Sequence, residues 1–283
     1  MTTLTTADGL PLHLHIWPMP VAPVRGSVLI VHGLGEHGGR YAHVAAHLAR
    51  AGWAVMAYDQ RGHGRSGGPR GGIASADSLL ADLGLLVRHA RQTLPGPLVL
   101  LGHSMGGLAV ARYVAEGLST QPALWWQPVD ALVLSSPALD PGMGLAQKLL
   151  LALAAPLLPT LALGNGLKPE WVCNDPAVVR AYVADALNHD RVTPRLVRFI
   201  VDAGALVRGL AARWTVPTLL LYAGADRCVA PRGSAAFAAA APPAVLQSRC
   251  YDGLAHEIFN EPEQARVLTD LTSGLSTLLP TPA

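Results

Sequence analysis

The 283-residue chain is poor in cysteine, lysine and charge of either sign. Its three cysteines, Cys173, Cys228 and Cys250, are odd in number and form no C-x-x-C pair. That excludes a disulfide framework or zinc finger and fits a reducing compartment, with free thiols favoured over a Cys228–Cys250 bridge. Lys148 and Lys168 are the only lysines, the net charge is +2, and basic residues never cluster, so nothing marks a nucleic-acid partner. The eleven histidines do not fall in H-E-x-x-H or similar spacing, and no metal is expected. The opening MTTLTTADGLPLHLHIW lacks the cationic and continuous apolar parts of a secretory signal, which makes the cytoplasm the expected location. The most apolar stretch, Leu149–Leu163, is too short to span a bilayer and is broken by Pro156 and Pro159.

What the chain does have is apolar residues, 51% of the total, enough for a large core. Runs such as SVLIV and LVLL show no polar alternation, as expected of parallel strands covered on both faces. Strands are predicted at 12–17, 26–32, 54–58, 98–101, 131–135, 218–222 and 245–251. Helices are predicted at 41–51, 75–93, 108–117, 232–241 and 263–279. This alternation predicts an α/β fold with a mostly parallel sheet and helices on both faces. It breaks between 138 and 205, where the sequence is helical in character and holds no convincing strand. The expected organisation is a core of 1–137 and 206–283 with a helical cap of 138–205. Leu149–Leu163 reads either as a lid whose apolar face meets a lipid or membrane surface, or as a helix buried against the sheet.

Chemistry enters with LVLLGHSMGG, where Ser104 is central to a G-x-S-x-G pentapeptide directly after an apolar strand. Such a strand–turn–helix lifts the serine hydroxyl out of the sheet. A hydroxyl needs a base, and the base needs a group to fix its tautomer. In chain order the candidates are Asp226, after TLLLYAG, and His256, after VLQSRCYDGLA, both past the carboxyl ends of predicted strands. Asp252 is too close to His256 in sequence, Asp190 and Asp202 lie in the insert, and Asp130 begins a strand. Oxyanion donors are expected from the N–H of Met105, after the nucleophile, and of Leu34, in the glycine-rich loop after the strand ending at His32. The loop Asp59–Ser66 lacks Walker spacing, and Asp59 reads as a carboxylate satisfying turn N–H groups.

Together HGLGEHGGRY, YDQRGHGRSGGPRG, GHSMGG, the G-x-D at 224–226 and GLAHEIFNEPE resemble the monoacylglycerol lipases and related lysophospholipase-like serine hydrolases. The resemblance implies an α/β-hydrolase fold with a mobile cap and cleavage of a fatty acyl ester from glycerol, without metal or organic cofactor. It carries Ser104, Asp226 and His256 onto the triad, and Leu34 and Met105 onto the oxyanion hole. It also implies that Glu36, Arg40 and His103 line the glycerol end. AYVADALNHDRV resembles the Y-x-x-D-P segment of the cap, with Ala186 in place of proline, which would bring Tyr182 near the leaving group. The implied partner is a small lipid ester, with transient membrane-surface contact through the cap. A small-ester esterase, a thioesterase, a short-peptide peptidase and a ligand receptor keeping the same fold remain open on these residues.

Overall fold

A computed structural model describes residues 3–21 and 23–280. The chain runs through β1 (Thr3–Thr5), β2 (Pro11–Ile16), β3 (Gly26–Val31), α1 (Ala42–Arg50), β4 (Trp53–Tyr58), α2 (Ser78–Thr93), β5 (Leu98–His103), α3 (Met105–Ala115) and β6 (Ala131–Ser135). It continues through α4 (Leu145–Leu157), β7 (Leu163–Gly164), α5 (Pro176–Ala184), β8 (Arg191–Val192), α6 (Pro194–Leu210), β9 (Thr218–Ala223), α7 (Pro231–Ala240), β10 (Leu246–Tyr251) and α8 (Gln264–Leu278). The main sheet has the order β1-β2-β4-β3-β5-β6-β9-β10. Its β1–β2 and β2–β4 pairs are antiparallel and all others parallel.

Every residue of β3, β4, β5 and β6 is buried, which is why these segments read as unbroken apolar runs. Successive side chains serve opposite faces. Val28 and Ile30 join a core with Val44 and Leu48 of α1 and Leu271 and Leu275 of α8. Leu29 and Val31 join the other core, with Leu83 of α2, Val110 of α3, Phe199 of α6 and Phe237 of α7. The two-sided covering leaves the carboxyl ends of the parallel strands as the edge where loops can carry a site.

The structure departs from the sequence reading in four places. β1 was not expected, since TLT offers no apolar run and exists as the antiparallel neighbour of β2. The segment between β6 and β9, expected to hold no strand, contains the short antiparallel pair β7–β8. Helix α3 begins at Met105 rather than Leu108, because the turn at Ser104 leads into it without a linker. The boundary expected at 205 falls inside α6, whose Leu196, Phe199, Ile200 and Val207 face the same core as α3. The two readings of Leu149–Leu163 are also separated: α4 buries only Leu151, so it is not a helix buried against the sheet.

Candidate active site

Ser104 sits between β5 and α3 with φ 54° and ψ −119°, a left-handed backbone that non-glycine residues adopt only under strain. The reversal brings strand and helix so close that a Cβ on Gly102 would lie 2.5 Å from the carbonyl oxygen of Gly106. A Cβ on Gly106 would instead strike the Val31 and His32 carbonyls at the end of β3, so glycine is required on both sides of the serine for two different reasons. The elbow is pinned by Ser104 N–H donating to the Ser135 carbonyl at 2.9 Å, and by Ala138 N–H donating to the Ser104 carbonyl at 2.9 Å.

Across the carboxyl edge of the sheet, Ser104 Oγ lies 2.8 Å from His256 Nε2, and His256 Nδ1 lies 2.6 Å from Asp226 Oδ2. The second carboxylate oxygen of Asp226 accepts from the backbone N–H groups of Cys228 and Val229, at 2.8 and 3.0 Å, which fixes the carboxylate plane. The three sequence candidates thus meet, while Asp252 makes its contact with Cys250 and not with His256. Burial opposes a charge on His256, but the Asp226 carboxylate outweighs it and raises the imidazole above its ordinary value of 6.5. The neighbouring His103, whose ring centroid is 4.7 Å away, goes the other way: burial and the charge of His256 bring it down to about 4. One imidazole is therefore a competent base and its neighbour stays neutral.

Leu34 and Met105 flank the serine from two sides, and both border the larger cavity at Ser104. Among the described residues neither backbone N–H donates a hydrogen bond to another group. The loop carrying Leu34 is held by Glu36. Its Oε1 accepts from Gly33 N–H at 2.6 Å and from Tyr41 Oη at 2.7 Å, and its Oε2 accepts from Arg40 at 2.6 Å. Arg40 also makes a two-pronged pair with Glu257, at 2.6 and 2.7 Å. Burial alone would raise Glu36, yet the Arg40 guanidinium holds its carboxyl well below the usual range.

Of the residues expected at the glycerol end, Glu36, His103 and Tyr182 line the cavity beside Ser104. Arg40 does not. It stands behind that wall, beside a small recess with Tyr41 and Glu257. Its guanidinium lies 4.9 Å from the centre of the Tyr182 ring, so it supports Tyr182 from behind. Glu257 was missed by sequence reading: its partner Arg40 is 217 positions away, and only its place next to His256 hinted at a role.

Two cavities meet at Ser104. One, of about 450 Å³, is bordered by Met105, Met143, Leu167, Val197, Ile200 and Val229, a mostly apolar wall. The other, of about 210 Å³, mixes apolar Leu34, Val172 and Val183 with Glu36, Asp185 and Asn188. Chemically, the arrangement offers a nucleophile with its base, free N–H donors for a developing oxyanion, and separate compartments for the two halves of an amphiphilic molecule. No helix among the described residues is long and apolar enough to cross a membrane.

The geometry agrees with the comparisons. A family model described as serine aminopeptidase, S33 (Hydrolase_4), matches residues 22–263. The chain is 36% identical over 272 residues to the monoacylglycerol lipase of Mycolicibacterium smegmatis, covering 94% of this chain and 93% of that protein. It is 29% identical over 271 residues to human monoglyceride lipase, covering 91% and 84%. Among solved structures, Paleococcus ferrophilus monoacylglycerol lipase superposes with a TM-score of 0.82 at 31% identity, covering 94% of this chain and 99% of that one. The chain therefore belongs to the Hydrolase_4 family of serine hydrolases with the α/β-hydrolase fold, in the company of its monoacylglycerol lipase relatives.

Proposed function

We infer that this protein is a serine carboxylic-ester hydrolase that releases a fatty acid from monoacylglycerol. The observation that carries the reading is the meeting at Ser104 of two cavities, a larger one walled by Met143, Val197, Ile200 and Val229 and a smaller one whose wall carries Glu36, Tyr182, Asp185 and Asn188. An acyl chain in the first and a glycerol moiety in the second would hold the ester carbonyl at the hydroxyl.

His256 takes the proton of Ser104 as Oγ attacks the ester carbonyl, and Asp226 stabilises the imidazolium that forms. The N–H groups of Leu34 and Met105 receive the oxyanion, each donor contributing about 3–4 kcal/mol to the transition state. Glycerol leaves with the proton from His256, and water, activated by the same imidazole, releases the acid from the acyl-serine. Glu36, His103 and Tyr182 bound the leaving-group side, and Arg40 acts through Glu36, Glu257 and Tyr182.

The segment between β6 and β9 serves as the cap over these cavities, with α6 joining it to the core. Its helix α4 turns Leu149, Leu150, Leu153 and Leu157 outward, each at least 60% exposed. An apolar face of that kind suits transient contact with a lipid surface, for a protein otherwise cytoplasmic.

The family description favours a second reading, an aminopeptidase. A peptide amine would need unpaired carboxylates in the smaller cavity, whereas Glu36 and Glu257 are both held by Arg40, Asp185 by His37 and Asp190 by Arg191. The test compares turnover of monoolein, p-nitrophenyl butyrate and alanine p-nitroanilide. Monoolein should have the highest kcat/KM, and faster anilide cleavage would overturn the ester reading.

A further inference from the structure

Outside the active site, a second group of side chains with metal-ligand character occurs where β2 meets the end of β4. His13, His15 and Asp59 each offer a donor atom, and these atoms all lie within 4.8 Å of one another. The arrangement follows from strand geometry. Residues 13 and 15 share one face of β2, and Asp59 follows β4, its N–H donating to the His13 carbonyl at 2.9 Å. The two imidazoles meet edge to face with centroids 4.8 Å apart.

Three observations distinguish this group from an ordinary turn carboxylate. Asp59 is fully buried, and its only ion-pair partner among the described residues is His15, 2.7 Å away. Its carboxylate is already oriented by backbone donors, Gly38 N–H on Oδ1 and Arg65 N–H on Oδ2, both at 2.8 Å. Such outer partners aim a carboxylate in metal centres. His13 is 9% exposed, and neither of its ring nitrogens is hydrogen-bonded among the described residues. A buried carboxylate with no arginine or lysine partner, beside two imidazoles of which one makes no hydrogen bond to the protein, is a donor set that a divalent cation could share.

We propose that His13, His15 and Asp59 form a binding site for a divalent transition metal of the zinc type, separate from the catalytic centre. Two imidazoles and one carboxylate suit zinc, with donors about 2.0–2.2 Å from the ion and water in the fourth position. Small side-chain rotations bring the three donors from their present separations to that geometry, and His15, 16% exposed at its side chain, gives the route in. Because Asp59 also holds Gly38 in the loop that begins with the oxyanion residue Leu34, the bound ion braces that loop. Its expected effect is on stability and not on the chemical step. The competing cluster is Asp226, Cys228 and His256, of which Asp226 and His256 are already engaged with Ser104.

The test is calorimetric titration of the full-length, metal-stripped protein with zinc chloride, run on the wild type, His13→Ala, His13→Cys and His256→Ala. Binding should survive in His256→Ala, weaken at least about tenfold in His13→Ala, and return in His13→Cys, since a thiolate also ligates zinc. His13→Ala should keep wild-type ester hydrolysis, which shows that it is folded. At zinc about 100-fold above Kd, the wild-type melting midpoint should rise by on the order of 5 °C, and that of His13→Ala should not. Zinc affinity unchanged in His13→Ala, or lost only in His256→Ala, would overturn the proposal. Neither result bears on ester hydrolysis, so the site and the enzymatic reading fail separately.

Discussion

Arg40, behind the wall of the cavity beside Ser104, and Glu257, on that wall, form a two-pronged ion pair although they are 217 positions apart in the chain. The same guanidinium holds Glu36, so one cation ties the loop carrying Leu34 to the residue that follows His256. Both carboxylates are buried, and removing their shared partner would leave two uncompensated charges. Arg40→Ala should therefore cost about 3–5 kcal/mol of stability. Scanning calorimetry should show a midpoint lowered by on the order of 10 °C. A variant melting with the wild type would mean that the pair is not a structural tie.

The pH dependence of hydrolysis follows from the raised His256. The imidazole must be neutral to accept the serine proton, so kcat/KM should fall as pH drops through its folded-state value. With that value above the ordinary 6.5, the acid limb should lie above pH 6.5. Asp226→Asn removes the carboxylate that raises it. The variant should lose about 10⁴-fold in kcat and move the acid limb to lower pH. A limb that does not move would assign it to another group.

Ile200 borders the apolar cavity from α6 and is itself nearly buried. Ile200→Trp should shorten the space for an acyl chain. The ratio of kcat/KM for C16 over C6 monoacylglycerol should fall about tenfold or more, the scale of a few unburied methylenes. Equal losses for both lengths would place the chain elsewhere.

Gly102 has no room for a side chain beside the Gly106 carbonyl. Gly102→Ala should lose both hydrolysis and several degrees of melting midpoint, because the atom it meets is backbone and cannot rotate away. Wild-type behaviour would contradict the close packing of the elbow.

These relationships were unequally visible in the sequence. Ser104, Asp226 and His256 could be read because each comes just after the end of a strand and their order fits one strand-end edge. Strands β3 to β6 were legible because burial on both faces removes polar residues from them. The Arg40–Glu257 pair was not legible, since nothing local at either position specifies a partner so distant. Nor was the outward face of α4, because a helix apolar all round reads alike whether it meets the sheet or solvent. Asp59 was half legible: its turn N–H contacts were expected from the loop, but its contact with His15 needed the β2–β4 register.

The central claim is that Ser104, activated by His256, forms the acyl-enzyme. Labelling with a fluorophosphonate, followed by intact-mass measurement and peptide mapping, tests it most directly. One adduct per chain on the peptide that contains Ser104, absent from Ser104→Ala and strongly slowed in His256→Ala, is the predicted result. An adduct on another residue, or undiminished labelling of Ser104→Ala, would contradict the account.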